Sequence, residues 1–95
     1  MPLKDPKAKG SRVEREVKKA FERAGFGVVR SAGSLGRGDL HVSGLGFVQV
    51  KARKTFSIYN LFEGADVLVI KADRKKPLIV LELERFLKIA ERMRG

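Results

Sequence analysis

The sequence predicts an α/β fold: a single domain with a central, mixed, roughly five-stranded β-sheet flanked by α-helices. Three observations lead there. Apolar residues recur at helical spacing near both ends, as Val13, Val17, Ala20, Phe21 and Ala24, and again as Leu83, Phe86, Leu87, Ala90 and Met93. Between them lie short apolar runs of strand length, separated by glycines and charged turns. Finally, 95 residues with 43% hydrophobic content suffice for one compact core and not for two.

In chain order, residues 1–10 carry Lys4, Lys7 and Lys9 among Pro2, Pro6 and Gly10, with little to bury, and read as a basic, flexible arm ahead of a domain over residues 11–95. Ser11 opens the first helix, and Gly25 stands where a left-handed C-cap is expected. Phe26 to Ser31 reads as a strand, and Gly33 to Gly38 as a flexible connection. Asp39–Val42 and Gly46–Arg53 read as strands joined by Ser43-Gly44-Leu45, a link suited to an antiparallel hairpin. Strand alternation then sets Phe47, Gln49 and Lys51 on one face. Ile58, Leu61, Phe62 and Ala65 suggest a short helix closed near Gly64. Val67–Ile70 is the uninterrupted apolar run of a strand covered on both faces. Asp73–Pro77 is a charged turn, Leu78–Leu83 a strand, and the amphipathic stretch to Met93 a terminal helix. Phe26, Phe47, Phe62 and Phe86 fall at core periods, whereas Phe56 and Tyr59 are better placed to meet a ligand.

Charge narrows the function classes. Lys and Arg total 21 against 11 Asp and Glu, a net charge of +10 with a pI near 10.4, which attracts polyanions in a salt-dependent way. The lack of cysteine excludes disulfides and thiolate metal sites. No apolar stretch approaches a membrane span of roughly 18 residues, and no signal-peptide core is seen, so a soluble, cytoplasmic protein is expected. The glycines of the loop lack the helix and the Gly-Lys-Ser/Thr of a nucleotide-binding loop, so no nucleotide cofactor is expected.

The residues best suited to chemistry are Asp39, Gln49 and Lys51. An acid, an amide and a lysine on neighbouring strands can hold a hard cation, Mg²⁺ or Mn²⁺, against a phosphodiester while the ammonium orients water or neutralises phosphate. Taken singly, Asp39 also reads as a turn residue after Gly38, and Lys51 as one of the solvated bases of Lys51-Ala52-Arg53-Lys54. Taken together, a glutamine and a lysine interrupting an apolar strand favour a site, because burying polar groups costs free energy. Glu14 has two readings: it completes a capping box with Ser11, or it leans toward the sheet beside Val17 and Phe21. Arg30 and the following serine-rich loop suit contacts to DNA phosphates. His41 shares a face with Asp39, and a lone histidine is more often packing or surface than ligand.

Three segments occur together: Lys9-Gly10-Ser11-Arg12-Val13-Glu14-Arg15-Glu16, Gly25-Phe26-Gly27-Val28-Val29-Arg30-Ser31-Ala32-Gly33-Ser34, and Asp39 followed by Val48-Gln49-Val50-Lys51-Ala52-Arg53-Lys54. In this order they resemble the archaeal-type Holliday junction resolvases of the PD-(D/E)XK nuclease superfamily, in a compact form like those of bacteriophages and their hosts. The likeness covers roughly residues 9–54. It implies a Mg²⁺-dependent homodimer that nicks opposed strands of a four-way DNA junction in a bacterial, archaeal or phage-infected cell. It further implies that Glu14, Asp39 and Gln49 hold metal and that Lys51 is the catalytic lysine. Arg15, Arg30, Ser31, Ser34, Arg37, Arg53 and Lys54 are then expected to contact DNA. Gln49 stands where the family usually has glutamate. That departure keeps two alternatives open, a branched-DNA binder with weak or no cleavage and a less selective repair or restriction-type nuclease.

Overall fold

The computed structural model describes residues 6–30 and 39–94, and the chain divides into two compact units, Met1–Arg53 and Lys54–Gly95. In the first unit, helix α1 spans Pro6–Arg23 and is followed by strands β1 (Val28–Arg30), β2 (Leu40–Val42) and β3 (Gly46–Val48). Proline suits the first helical position, where its missing N–H would have had no partner and its ring presets φ. The helix therefore starts N-terminal to Ser11, which lies inside it and cannot be its N-cap, so the capping-box reading of Glu14 lapses. Residues 1–5 of the expected arm lie outside the described residues.

The end of α1 is as the sequence indicates. Gly25 takes φ 94°, its N–H bonds to the Glu22 carbonyl at 2.9 Å, and the Phe26 N–H reaches back to the Phe21 carbonyl at 3.0 Å. This is a Schellman closure, and its usual apolar contact is present as an edge-on pair of the Phe21 and Phe26 rings, 5.6 Å between centroids. The helix stop thereby fixes where β1 begins.

The three strands form one antiparallel sheet in the order β1-β2-β3. Leu40 pairs with Arg30 on one side and Val48 on the other, and Val42 with Val28 and Gly46. Leu40 and Val42 of the central strand are fully buried, and with Phe21 of α1 they are the buried apolar side chains of this unit. The opposite face carries the cross-strand row Val29, His41 and Phe47, all exposed. Phe47, expected in the core, instead lies edge-on to His41 with ring centroids 4.9 Å apart, because strand parity puts it opposite to Val48. The β2–β3 turn closes through Leu45 N–H to the Val42 carbonyl at 3.0 Å, with Gly44 at φ 84° where a tight turn of this length needs a positive φ.

In the second unit a 3₁₀ turn over Ser57–Phe62 ends at Glu63 (φ 47°) and Gly64 (φ 85°). Strands β4 (Val67–Ile70) and β5 (Leu78–Leu81) pair antiparallel, and helix α2 (Leu83–Arg94) supplies the buried Leu87. Arg85 of α2 bonds to Asp66 just before β4 at 3.3 Å.

The class is α/β, as expected, but the five strands do not share a sheet. Among the described residues they fall into a three-stranded and a two-stranded sheet, and every pairing is antiparallel. The strand expected over Gly46–Arg53 stops at Val48, because the next inward amide, that of Val50, is donated to a side chain rather than to a neighbouring strand. β4 is likewise not covered on both faces: in a two-stranded ribbon only alternate residues are shielded, and Val67 and Val69 remain 41% and 63% exposed. The packing predicts that Leu40→Ala, which empties a fully buried site, lowers unfolding free energy by about 2–5 kcal/mol, measured by urea denaturation.

Candidate active site

Asp39 is held by the chain segment that carries the other candidate residues. Its backbone N–H bonds to the Val48 carbonyl at 2.9 Å, and its carboxylate Oδ2 accepts the Val50 N–H at 2.8 Å. The two bonds straddle Gln49. They fix Asp39 beside the Gln49-Val50-Lys51 segment without any need for strand structure there. An amide donated to a carboxylate is a charge-assisted bond, and this one is partly buried, so it both orients the acid and ends β3. The second oxygen, Oδ1, has no hydrogen-bond partner among the described residues.

Glu14 lies on the sheet-facing side of α1, with its side chain 14% exposed. Its Oε1 accepts Arg30 Nε at 2.6 Å. Arg30 lies on the same sheet face as Leu40, its register partner, and Leu40 follows Asp39 directly. The Glu14 carboxylate is thus tied to a strand residue one strand spacing, about 4.8 Å, from the chain at Asp39 and Leu40. The choice between a helix cap and a group turned toward the sheet is resolved in favour of the sheet. Lys18, one helical turn on from Glu14, pairs with Glu22 at 3.5 Å instead.

Gln49 and Lys51 are exposed. They follow β3 rather than lying within it, so strand alternation no longer dictates that they share a face, as the sequence reading required. Arg15 is exposed on α1, and Arg53 and Lys54 are exposed on either side of the division between the units. Ser31, Ser34 and Arg37 lie outside the described residues. Of the two aromatics expected to meet DNA, Tyr59 is 71% exposed and Phe56 is half-buried.

Two features escape a reading of residue types. The Val50 amide, a backbone group, turns out to hold Asp39. Arg30 was assigned to DNA alone, yet it is also the counterion of Glu14. A signal for the second existed: Arg30 has the strand parity of Val28, which sends it to the helix side of the sheet rather than to the outer face.

The candidate donors expected from the sequence are Glu14 and Asp39 with the neutral amide of Gln49. Among the described residues no group of three His, Cys, Asp or Glu side chains is assembled. Two carboxylates are nonetheless compatible with Mg²⁺, which keeps several waters and takes one or two carboxylates together with substrate phosphate oxygens. Each carboxylate also has an oxygen beyond the one engaged by Arg30 or Val50.

Compared with known proteins, residues 5–94 match the model of the archaeal Holliday junction resolvase family. No match was found among curated proteins or among solved structures. No helix among the described residues is long and apolar enough to cross a membrane.

The double anchoring gives Asp39 a structural part that can be measured by itself. Asp39→Ala strands the Val50 N–H and costs about 1–2 kcal/mol, whereas Asp39→Asn retains an acceptor and costs under about 1 kcal/mol, both read by denaturant unfolding. No loss in either variant would show that the Val50 bond contributes nothing to stability.

Proposed function

Because the chain belongs to the archaeal Holliday junction resolvase family, we propose that it is a metal-dependent, structure-selective endonuclease that cuts four-way DNA junctions as a homodimer. The observation that carries this reading is the family match over residues 5–94, which takes in all the candidate site residues. The anchoring of Asp39 beside Gln49 and the inward position of Glu14 support it, since both acids are held in place before any substrate arrives.

In this reading Glu14, Asp39 and Gln49 hold Mg²⁺, or Mn²⁺ in its place. The bound cation supplies positive charge where negative charge grows on the phosphate. Lys51 orients the attacking water and neutralises a phosphate oxygen. The water gives up a proton as its oxygen bonds to phosphorus, one bridging P–O bond breaks, and the departing strand end takes a proton in turn. Arg15, Arg30, Arg53 and Lys54 hold flanking phosphates, and Ser31, Ser34 and Arg37 contact the strand near the cut. The excess of basic residues, 21 against 11 acids, suits a partner that presents several phosphate chains at once.

The homodimer draws support from the second unit. Val69 and Ile79 are register partners on one face of the β4–β5 ribbon and are 63% and 66% exposed, with Val67 beside them at 41%. A contiguous apolar face of this kind is typical of a protein–protein contact. A copy of the same chain would cover it. Solution mass by light scattering is expected to give a dimer for the native chain and a shift toward monomer for Val69→Glu. An unchanged dimer in that variant would remove this face from the interface.

A second reading, junction binding without cleavage, is favoured by one observation, the neutral Gln49 in a site with only two anionic donors. The two are separated by incubating a synthetic four-way junction and a linear duplex with the protein and Mg²⁺. Resolvase activity gives paired nicks in the junction alone, lost in Asp39→Ala and without metal. Intact junction, tightly bound, with cleavage appearing only in Gln49→Glu, would establish the second reading. Equal cutting of the linear duplex would make it a less selective nuclease.

A further inference from the structure

Arg30 has two demands on it. Its Nε bonds to Glu14 at 2.6 Å, yet half of its side chain is exposed, and its Nη groups have no hydrogen-bond partner among the described residues. Glu14, by contrast, is 14% exposed and takes no other cation among the described residues, since Lys18 is engaged with Glu22. A shielded carboxylate needs a counterion, and a one-point contact from a half-exposed guanidinium is the kind readily exchanged. The free face of that guanidinium is the part that recognises phosphate bidentately.

We propose that Arg30 is an exchangeable counterion that occupies Glu14 in the unliganded protein and is released to a DNA phosphate when a divalent cation takes its place. The proposal rests on the assignment of Glu14 as a metal ligand made above. Arg30 thereby couples the two ligands. Cation at Glu14 frees Arg30 for DNA, and phosphate at Arg30 frees Glu14 for the cation, with the same coupling in both directions. The paired state holds Glu14 in place and withholds the basic group until both ligands are present. The role differs from that of a passive phosphate clamp, which would have no effect on metal binding in the absence of DNA. It differs equally from a positioning residue, whose removal would weaken metal binding by letting Glu14 drift.

The test uses the full chain, with Arg30→Met, Glu14→Gln and the double variant, each checked for native helicity and unfolding midpoint. Mn²⁺ alone is titrated first and followed by electron paramagnetic resonance. Arg30→Met should bind Mn²⁺ about two- to fivefold more tightly than the native chain, because its competitor is gone. Affinity that is unchanged or reduced would overturn the proposal. Four-way junction binding is then measured in chelator, without metal. Glu14→Gln should bind the junction more tightly than the native chain, and that gain should vanish in the Arg30→Met background. A gain that persists there would be a general charge effect and would also overturn the proposal. If Glu14→Gln leaves Mn²⁺ affinity untouched, the failure lies instead with Glu14 as a metal ligand.

Discussion

The bond from the Val50 amide to the Asp39 carboxylate is the contact on which the proposed chemistry depends. It ends β3 at Val48, holds the following segment against the start of β2, and leaves Gln49 exposed between two anchored positions. A carboxylate buried on one side and used by the backbone is oriented whether or not a ligand is present. Its other oxygen, Oδ1, has no hydrogen-bond partner among the described residues.

The Glu14–Arg30 pair works in the opposite sense. It is formed by side chains alone, from a helix and an edge strand, and half of its cationic member is in solvent. Such pairs contribute little to stability, about 0–1 kcal/mol. Its value lies in keeping an acid from being an uncompensated charge beside the buried Leu40–Val42 core. A basic chain meeting a polyanion has many groups for long-range attraction. Arg30 is set apart from those by being paired with a shielded acid, since Glu14 is 14% exposed whereas the acids paired with Lys18, Arg85 and Lys88 are exposed to solvent.

Much of this was legible in the sequence, and the parts that were not share a cause. The first helix and its stop were readable because Gly25 and the Val13–Phe21 stripe are local signals. The Ser43–Leu45 turn was readable for the same reason. The helix start was misplaced because Ser11 and Glu14 imitate a capping box one turn inside the helix, while Pro6 marks the true beginning. The five-stranded sheet failed because apolar runs report burial and not partners: β4 pairs only with β5, and β3 is cut short by a carboxylate from another strand. Phe47 was misassigned because its type suggested the core while its parity, shared with His41, sends it outward. Asp39 and Glu14 stand out in the sequence as candidates, but their anchors, an amide and an arginine distant in sequence, are long-range facts.

The outer row Val29–His41–Phe47 and the exposed ribbon face at Val69 and Ile79 leave apolar surface in both units. Glu14 and Asp39, by contrast, are turned inward or pinned. The proposed reading gives the apolar surface to a partner and the two acids to a cation, and the cation site is its central claim. It is tested most directly by nitrogen–proton correlation spectra recorded during a Mg²⁺ titration, following the Val50 amide and the Arg30 Nε–H. The account requires both signals to move together with one binding curve, and to stay still in Asp39→Asn. Saturating Mg²⁺ that leaves both signals where they began would contradict it.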